Sequence, residues 1–223
     1  MDEQTLLQQH IDVLFQQNEV GDLTVLNESP YDKAPQFYVG VTRKKSITKY
    51  QEHMAPELRK QLEAIVSDTP NEQLLQAIQL FSAEQKLQHF HLGPFYEIPT
   101  IASQIEGPIE ITEDNKYLIK EAFPYTHDEL AERAPVFTVI EAGVPVSLCC
   151  SARQTTEAAE ASVFTNEHYR GRGYAVDVVR AWAKKVQQQN RTTFYSTSWD
   201  NFSSRMIAEK LAMKRIGIDI TLD

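Results

Sequence analysis

Residues 163–175 read Val-Phe-Thr-Asn-Glu-His-Tyr-Arg-Gly-Arg-Gly-Tyr-Ala, and their types and spacing suit the capture of an anion. An apolar, β-prone run at 161–165 leads into a short polar turn. Arg170-Gly171-Arg172-Gly173 follows, and a helical pattern begins at once. Ala175, Val176, Val179, Trp182, Ala183 and Val186 repeat at the i, i+3, i+4, i+7 spacing of one buried helix face. Glycine lets the backbone come close to a ligand, and the first N–H groups of a helix point outward without partners. A strand, a glycine turn and a helix N-terminus in that order form an anion site. Arg170 and Arg172 add charge where a phosphate would rest.

Three phosphate-binding patterns compete for this loop. A Walker A loop requires Gly-x-x-x-x-Gly-Lys-Ser/Thr, which does not occur. A dinucleotide fingerprint requires glycine or alanine where Val176 stands. The third pattern, Arg/Gln-x-x-Gly-x-Gly/Ala, is matched by Arg170, Gly173 and Ala175. It is followed by a β-type run at 192–198 and then by Trp199-Asp200-Asn201-Phe202-Ser203-Ser204-Arg205. That segment opens a second short helix reaching Leu211, with the string Lys210-Leu211-Ala212-Met213 and a last strand at 216–222. In this order the motifs resemble the GNAT acyltransferase superfamily over roughly residues 100–223, most strongly over 157–213.

The resemblance implies an α/β fold with a mixed, centrally splayed sheet and flanking helices. It implies acetyl-CoA as donor, a primary amine as acceptor and no metal. The backbone of Val163 and Thr165 would run beside the pantetheine arm. The amides of Arg170, Gly171, Arg172, Gly173, Tyr174 and Ala175 would hold the pyrophosphate, and Asn201 matches the family asparagine beside the coenzyme arm. Direct attack of the amine on the thioester needs a positioned carbonyl, a proton acceptor for the amine and stabilisation of the departing thiolate.

Glu160, five residues before Thr165 on the same strand, is the candidate general base. Glu157, at the mouth, is the alternative. A carboxylate there accepts the amine proton directly or through water if partial burial lifts its pKa; otherwise either is a solvent-facing strand end. At the general acid the chain departs from the family. The tyrosine position of the last helix is Ala208. Ser204, one turn earlier, is the candidate donor to the thiolate. Ser203 and water are alternatives, and a thiolate is already a fair leaving group. Ala208 also supports a competing reading, a non-catalytic acyl-CoA-binding or sensor module of the same fold. Tyr174 reads as packing beside the loop, and Tyr195 as either a nearby phenol or a core strand residue.

Other groups carry less. His89-x-His91 has a zinc-like spacing but no third ligand cluster follows. His168 reads as an exposed turn residue. Trp199 and Phe202 flank Asn201 as channel walls or as core. Gly93-Pro94-Phe95-Tyr96 borders an acceptor pocket or belongs to a linker. Adjacent Cys149 and Cys150 lie in an apolar strand at 144–151, where a disulfide between neighbours is strained and buried thiols are the simpler reading.

Whatever positions these residues must fit 223 residues, enough for one large domain or two small ones. The 42% apolar content is that of a globular protein with a core. Lys and Arg number 22 against 31 Asp and Glu, a net charge of −9 that argues against a general nucleic-acid binder. The polar, acidic opening Met-Asp-Glu-Gln lacks a signal-peptide pattern, and the apolar region 134–152 is broken by Glu141, Gly143 and two prolines. The expectation is a cytoplasmic protein, monomer or homodimer, without membrane or nucleic-acid partners.

Two parts are expected: a mainly helical N-terminal segment at 1–95 and a GNAT-like domain at 96–223. In the first, Leu7, Ile11, Leu14 and Phe15 share a helix face, and residues 37–41 form a strand. Pro56 opens a helix with Leu58, Leu62, Ile65 and Val66 on one side. Asn71 caps another that turns Leu74, Leu75, Ile78 and Phe81 inward. A boundary or linker is expected around Leu92-Gly93-Pro94. In the second, a short strand covers 109–112 and a helix starts over 126–131. Runs at 136–141 and 144–151 form a hairpin across Ala142-Gly143.

Overall fold

The computed structural model describes residues 1–66, 70–103 and 105–223. It is an α/β protein with a large mixed sheet flanked by helices. In chain order the elements are α1 (Glu3–Leu14), β1 (Phe15–Gln17), β2 (Leu23–Leu26), β3 (Phe37–Thr42), β4 (Ser46–Tyr50), α2 (Pro56–Val66), α3 (Pro70–Glu84) and β5 (Phe90–Glu97). Then come β6 (Ile109–Ile111), α4 (Pro124–Asp128), α5 (Leu130–Arg133), β7 (Val136–Glu141), β8 (Val144–Gln154), β9 (Ala158–Thr165), α6 (Tyr174–Gln188), β10 (Thr192–Ser196), α7 (Phe202–Lys210) and β11 (Lys214–Leu222). The chain divides into two compact units. One is Met1–Phe95 with Thr197–Asp200 and Arg215–Asp223; the other is Tyr96–Ser196 with Asn201–Lys214.

In the first unit Asp2 caps α1, its carboxylate accepting the amides of Gln4 and Thr5. Leu6, Leu7, Ile11 and Leu14 are buried from that helix. Pro56 opens α2, and its Leu58 and Leu62 join Phe37 and Phe81 in one core cluster. The side chains of Val66 and of the expected cap Asn71 lie outside the described residues. Besides its helices the unit contains strands that the sequence pattern does not mark. β1, β2 and β4 are short and largely half-buried, so they carry no clear period-2 signal.

One local expectation differs from the structure. Leu92-Gly93-Pro94 is no linker but the middle of β5. A Cβ on Gly93 would stand 1.8 Å from the Thr197 carbonyl oxygen, and the Thr197 N–H donates to the Pro94 carbonyl at 3.2 Å. The glycine there serves close backbone approach, not a turn. Arg215–Asp223 belongs to the first unit. Its strand β11 pairs antiparallel with β3, from Gly217↔Thr42 to Leu222↔Phe37. Such pairing is set by register between distant segments, which local pattern does not announce.

In the second unit β7 and β8 form the expected hairpin, with Ala142 and Gly143 both at positive φ. β6, β7, β8 and β9 run antiparallel in that order, and β10 lies parallel to β9. The helix expected from 126 is two short pieces, α4 and α5. From α6, Val178, Val179, Trp182, Ala183 and Val186 are buried in a core shared with Val146, Cys149, Ala161 and Tyr195. The Trp182 indole donates to the Ser151 hydroxyl at 3.1 Å. Each large side chain buried is worth roughly 1.5–3 kcal/mol, so the helix axis is well anchored. Cys149 and Cys150 are buried and not joined in a disulfide, and burial pushes the Cys149 thiol well up.

The β9–β10 pairing ends at Phe194↔Glu160, while β9 continues to Thr165 against β8 alone. The sheet therefore opens beyond Glu160 and leaves one backbone edge of residues 161–165 without a strand partner. Among the described residues no helix is long and apolar enough to cross a membrane.

Candidate active site

Beyond the opened edge the chain turns into the glycine loop. Gly173 is the N-cap of α6 with φ of 94°, and Gly171 has φ of 80°. Glycine takes these angles without strain. A Cβ on either would meet nothing within 4 Å, so the backbone requires glycine while no protein atom fills the space before it. The amides of Val176 and Asp177 donate to the Gly173 carbonyl at 2.9 and 3.2 Å. Those of Gly171, Arg172, Gly173, Tyr174 and Ala175 make no hydrogen bond among the described residues. Five unspent donors thus cluster at the positive end of a 15-residue helix.

A cavity of about 440 Å³ lies in front of them. Val163, Phe164 and Thr165 form its strand wall, and the loop supplies Tyr169, Arg170, Gly171, Gly173, Tyr174 and Ala175. From α7 and its cap come Asn201, Ser203, Ser204, Met206, Ile207 and Lys210. Two lining residues are cations and none is a carboxylate, in a chain of net charge −9. The lining thus carries positive charge on one side and an apolar wall beside it.

The α7 wall follows from local chemistry. Asn201 caps the helix, its Oδ1 accepting the Ser204 N–H at 3.1 Å. This turns Ser203, Met206, Ile207 and Lys210 to the cavity at i, i+3, i+4, i+7. That helical period was the signal by which Met206 and Lys210 could have been found from sequence. Tyr169, also missed, carries no such signal. Ala175 and Val176, expected in the core, are half-buried and also line the cavity, and Val176 packs against the core cluster.

Other expected residues lie elsewhere. Arg172 does not line the cavity. Its Nη1 donates to Glu141 Oε1 at 2.7 Å, and its guanidinium lies 5.0 Å from the Tyr169 ring centroid. The Tyr174 hydroxyl donates to the other Glu141 oxygen, which raises the phenol pKa. Arg170 is the guanidinium left to the cavity, steadied by a 3.3 Å bond from Nε to the Thr165 carbonyl. Glu160, only 2% exposed, accepts from Arg153 Nη1 at 2.9 Å and from the Ser196 hydroxyl at 2.5 Å, and it does not line the cavity. Glu157 is exposed just ahead of β9. His168 is exposed in a short 3-10 helix at Glu167–Tyr169. Trp199 lies in the first unit with Arg215 over its ring at 6.0 Å. Phe202 is exposed beside the Asn201 cap. Among the described residues no group of three metal-type side chains occurs, and His89 and His91 gain no third ligand.

A family model for GNAT acetyltransferases matches residues 25–217. The chain belongs to the GNAT acetyltransferase family. The match reaches well into the first unit, beyond the part in which the motifs lie. Among curated proteins no sequence matches. A GCN5-related N-acetyltransferase-like protein from Streptococcus suis is similar in structure, with a TM-score of 0.53 at 15% identity, covering 85% of each chain. A GNAT-family protein from Novosphingobium aromaticivorans gives a TM-score of 0.50 at 17% identity over 61% of this chain and 66% of that one. At such identity the likeness establishes the GNAT fold.

Proposed function

We propose that this GNAT protein moves an acetyl group from acetyl-CoA to a primary amine by direct attack. The observation that carries the reading is the glycine cradle: five unspent amides at the start of α6, with Arg170 and Lys210 beside them and open space where side chains would otherwise stand. A pyrophosphate matches those donors in charge and number. The opened edge at Val163 and Thr165 suits an extended amide-bearing arm, which takes up backbone bonds as an added strand would. Asn201 and Ser204 border the same space.

In this reading the amine nitrogen attacks the thioester carbonyl, the C–S bond breaks and the coenzyme departs. Ser204 is the cavity hydroxyl assigned to the departing sulfur. Glu160 acts as base only if it is released from Arg153 and Ser196, which hold both its oxygens. Without that release the amine proton passes to water. That closed carboxylate also favours a second reading, a module that binds acyl-CoA without turnover. The acceptor class spans protein N-termini, lysines, polyamines, amino acids and antibiotics.

Calorimetry with acetyl-CoA and with coenzyme A tests the binding half. Thiol release from acetyl-CoA across an amine panel tests the transfer half. Binding with turnover is expected; binding without turnover selects the non-catalytic module, and no binding discards both.

A further inference from the structure

One polar group near the cavity has no use in the scheme above. Tyr195 lies on β10 in the buried cluster that includes Val179, Ala208 and Leu211. It is 2% exposed, and its hydroxyl has no hydrogen-bond partner of ordinary geometry among the described residues. Buried polar groups are nearly always satisfied, and leaving one unsatisfied is costly. The alternation of β10 puts Ser196 on the Glu160 side and Tyr195 on the face packed by α6 and α7. The cavity borders that same helical face. Ser204 lines the cavity one helical turn before Ala208, which packs in the same cluster as Tyr195.

We propose that Tyr195 is a positioning residue for the sulfur end of the donor: its hydroxyl donates to Ser204 Oγ in the bound state, which leaves the Ser204 proton directed at the departing sulfur. The inference rests on the acyl-transfer reading above. In the step it supports, the amine nitrogen forms the new C–N bond, the C–S bond breaks and its electron pair stays on sulfur. The amine proton leaves to water. Neither hydroxyl surrenders its proton. Burial pushes the Tyr195 phenol up to about 12, against a smaller pull from Ser204. A thiol titrates at about 8.5, so a proton on this phenol does not pass to a thiolate. The pair stabilises the thiolate by hydrogen bonding through preset donors.

The test titrates the thiol of bound coenzyme A by its ultraviolet thiolate absorbance, in wild type, Tyr195→Phe, Ser204→Ala and the double variant. The bound thiol is expected to titrate about one unit higher in Tyr195→Phe than in wild type, a tenfold change in acidity. The double variant is expected to match Ser204→Ala, because the two hydroxyls act as one chain. Ser204→Thr, which keeps the hydroxyl, is expected to stay near wild type. Turnover of Tyr195→Phe on an accepted amine should fall about tenfold in kcat with KM for acetyl-CoA unchanged. Its melting temperature should hold or rise, since the ring stays and only an unspent hydroxyl goes. Identical thiol titration in wild type and Tyr195→Phe overturns the proposal, as does a lower melting temperature with an unshifted thiol. Failure of wild type to bind coenzyme A overturns the acyl-transfer reading itself, so the two failures are distinguishable.

Discussion

Two polar clusters in this protein are built on opposite principles. In the first unit His10, Tyr38 and Asp219 are each no more than 3% exposed. The Tyr38 hydroxyl donates to Asp219 Oδ1 at 2.6 Å, and His10 Nε2 lies 2.7 Å from Asp219 Oδ2. The His10 ring stacks on Phe95 at 4.2 Å. Every oxygen of that carboxylate is spent inside the protein, and the cluster ties α1 to β3 and β11. In the second unit residues 171–175 present five amides that are spent on nothing, beside cations and open space. Polar groups satisfied by one another specify a fold; polar groups left unsatisfied at a surface specify a ligand.

The contrast predicts where each kind of substitution will act. Asp219→Ala should give the largest effect, a loss of about 3–5 kcal/mol in denaturant unfolding, because it strands two buried partners. Its coenzyme affinity, measured on the folded fraction, should stay within a few-fold of wild type. A variant that unfolds normally would show that the sealed cluster is dispensable. Gly173→Val should do the reverse: about a hundredfold or greater loss of coenzyme affinity by calorimetry, roughly 2.7 kcal/mol, in a chain that still folds. A β-branched side chain both strains φ of 94° and fills the cradle. Unchanged affinity would remove the anion site from this loop.

Glu160→Gln separates the two principles at one residue. With its oxygens held by Arg153 and Ser196, the substitution should cost about 1–3 kcal/mol of stability and leave turnover nearly intact. A hundredfold fall in kcat at unchanged stability, the span of general-base catalysis, would instead make Glu160 the base. Smaller again is the alkaline limb. Burial pushes the Tyr50 and Tyr195 phenols from 10.0 up to about 12. Between those values the unfolded chain has released protons that the folded chain still holds. Stability is therefore full below pH 10 and falls as pH rises toward 12. Tyr195→Phe should flatten part of that fall in melting curves, and an unaltered slope would contradict it. The smallest effect is expected at Arg172→Ala, within about threefold in coenzyme affinity, because its guanidinium already serves Glu141 on the exposed side. Arg170→Ala should cost about tenfold, and the reverse ranking would move the cationic contact to Arg172.

Much of the site was legible because its causes are local. Glycines at 171 and 173, the helical period after them and the Asn201 cap with Ser204 three residues on are signatures written within a few residues of each other. Their physical cause is backbone geometry and capping, which need no distant partner. The same holds for Pro56 at the start of α2 and for the hairpin across Ala142-Gly143.

Residues whose meaning depends on what faces them were not legible. Gly93-Pro94 has the composition of a turn, but the Thr197 backbone makes it a strand crossing point. Arg172 carries the charge expected at a phosphate loop, but the β7–β8 hairpin brings Glu141 to it. Glu160 has the spacing of a base, but the register Arg153↔Glu160 gives it a cation. Residues 216–222 are recognisable as a strand, yet only their register with β3 places them in the first unit. The sequence by itself determined the glycine loop, the helices that follow it and the GNAT resemblance, because those rest on local steric and hydrogen-bonding rules. Only the tertiary structure decided which charges remain available to a ligand, because charge neutralisation is settled by neighbours that register and packing bring from far along the chain.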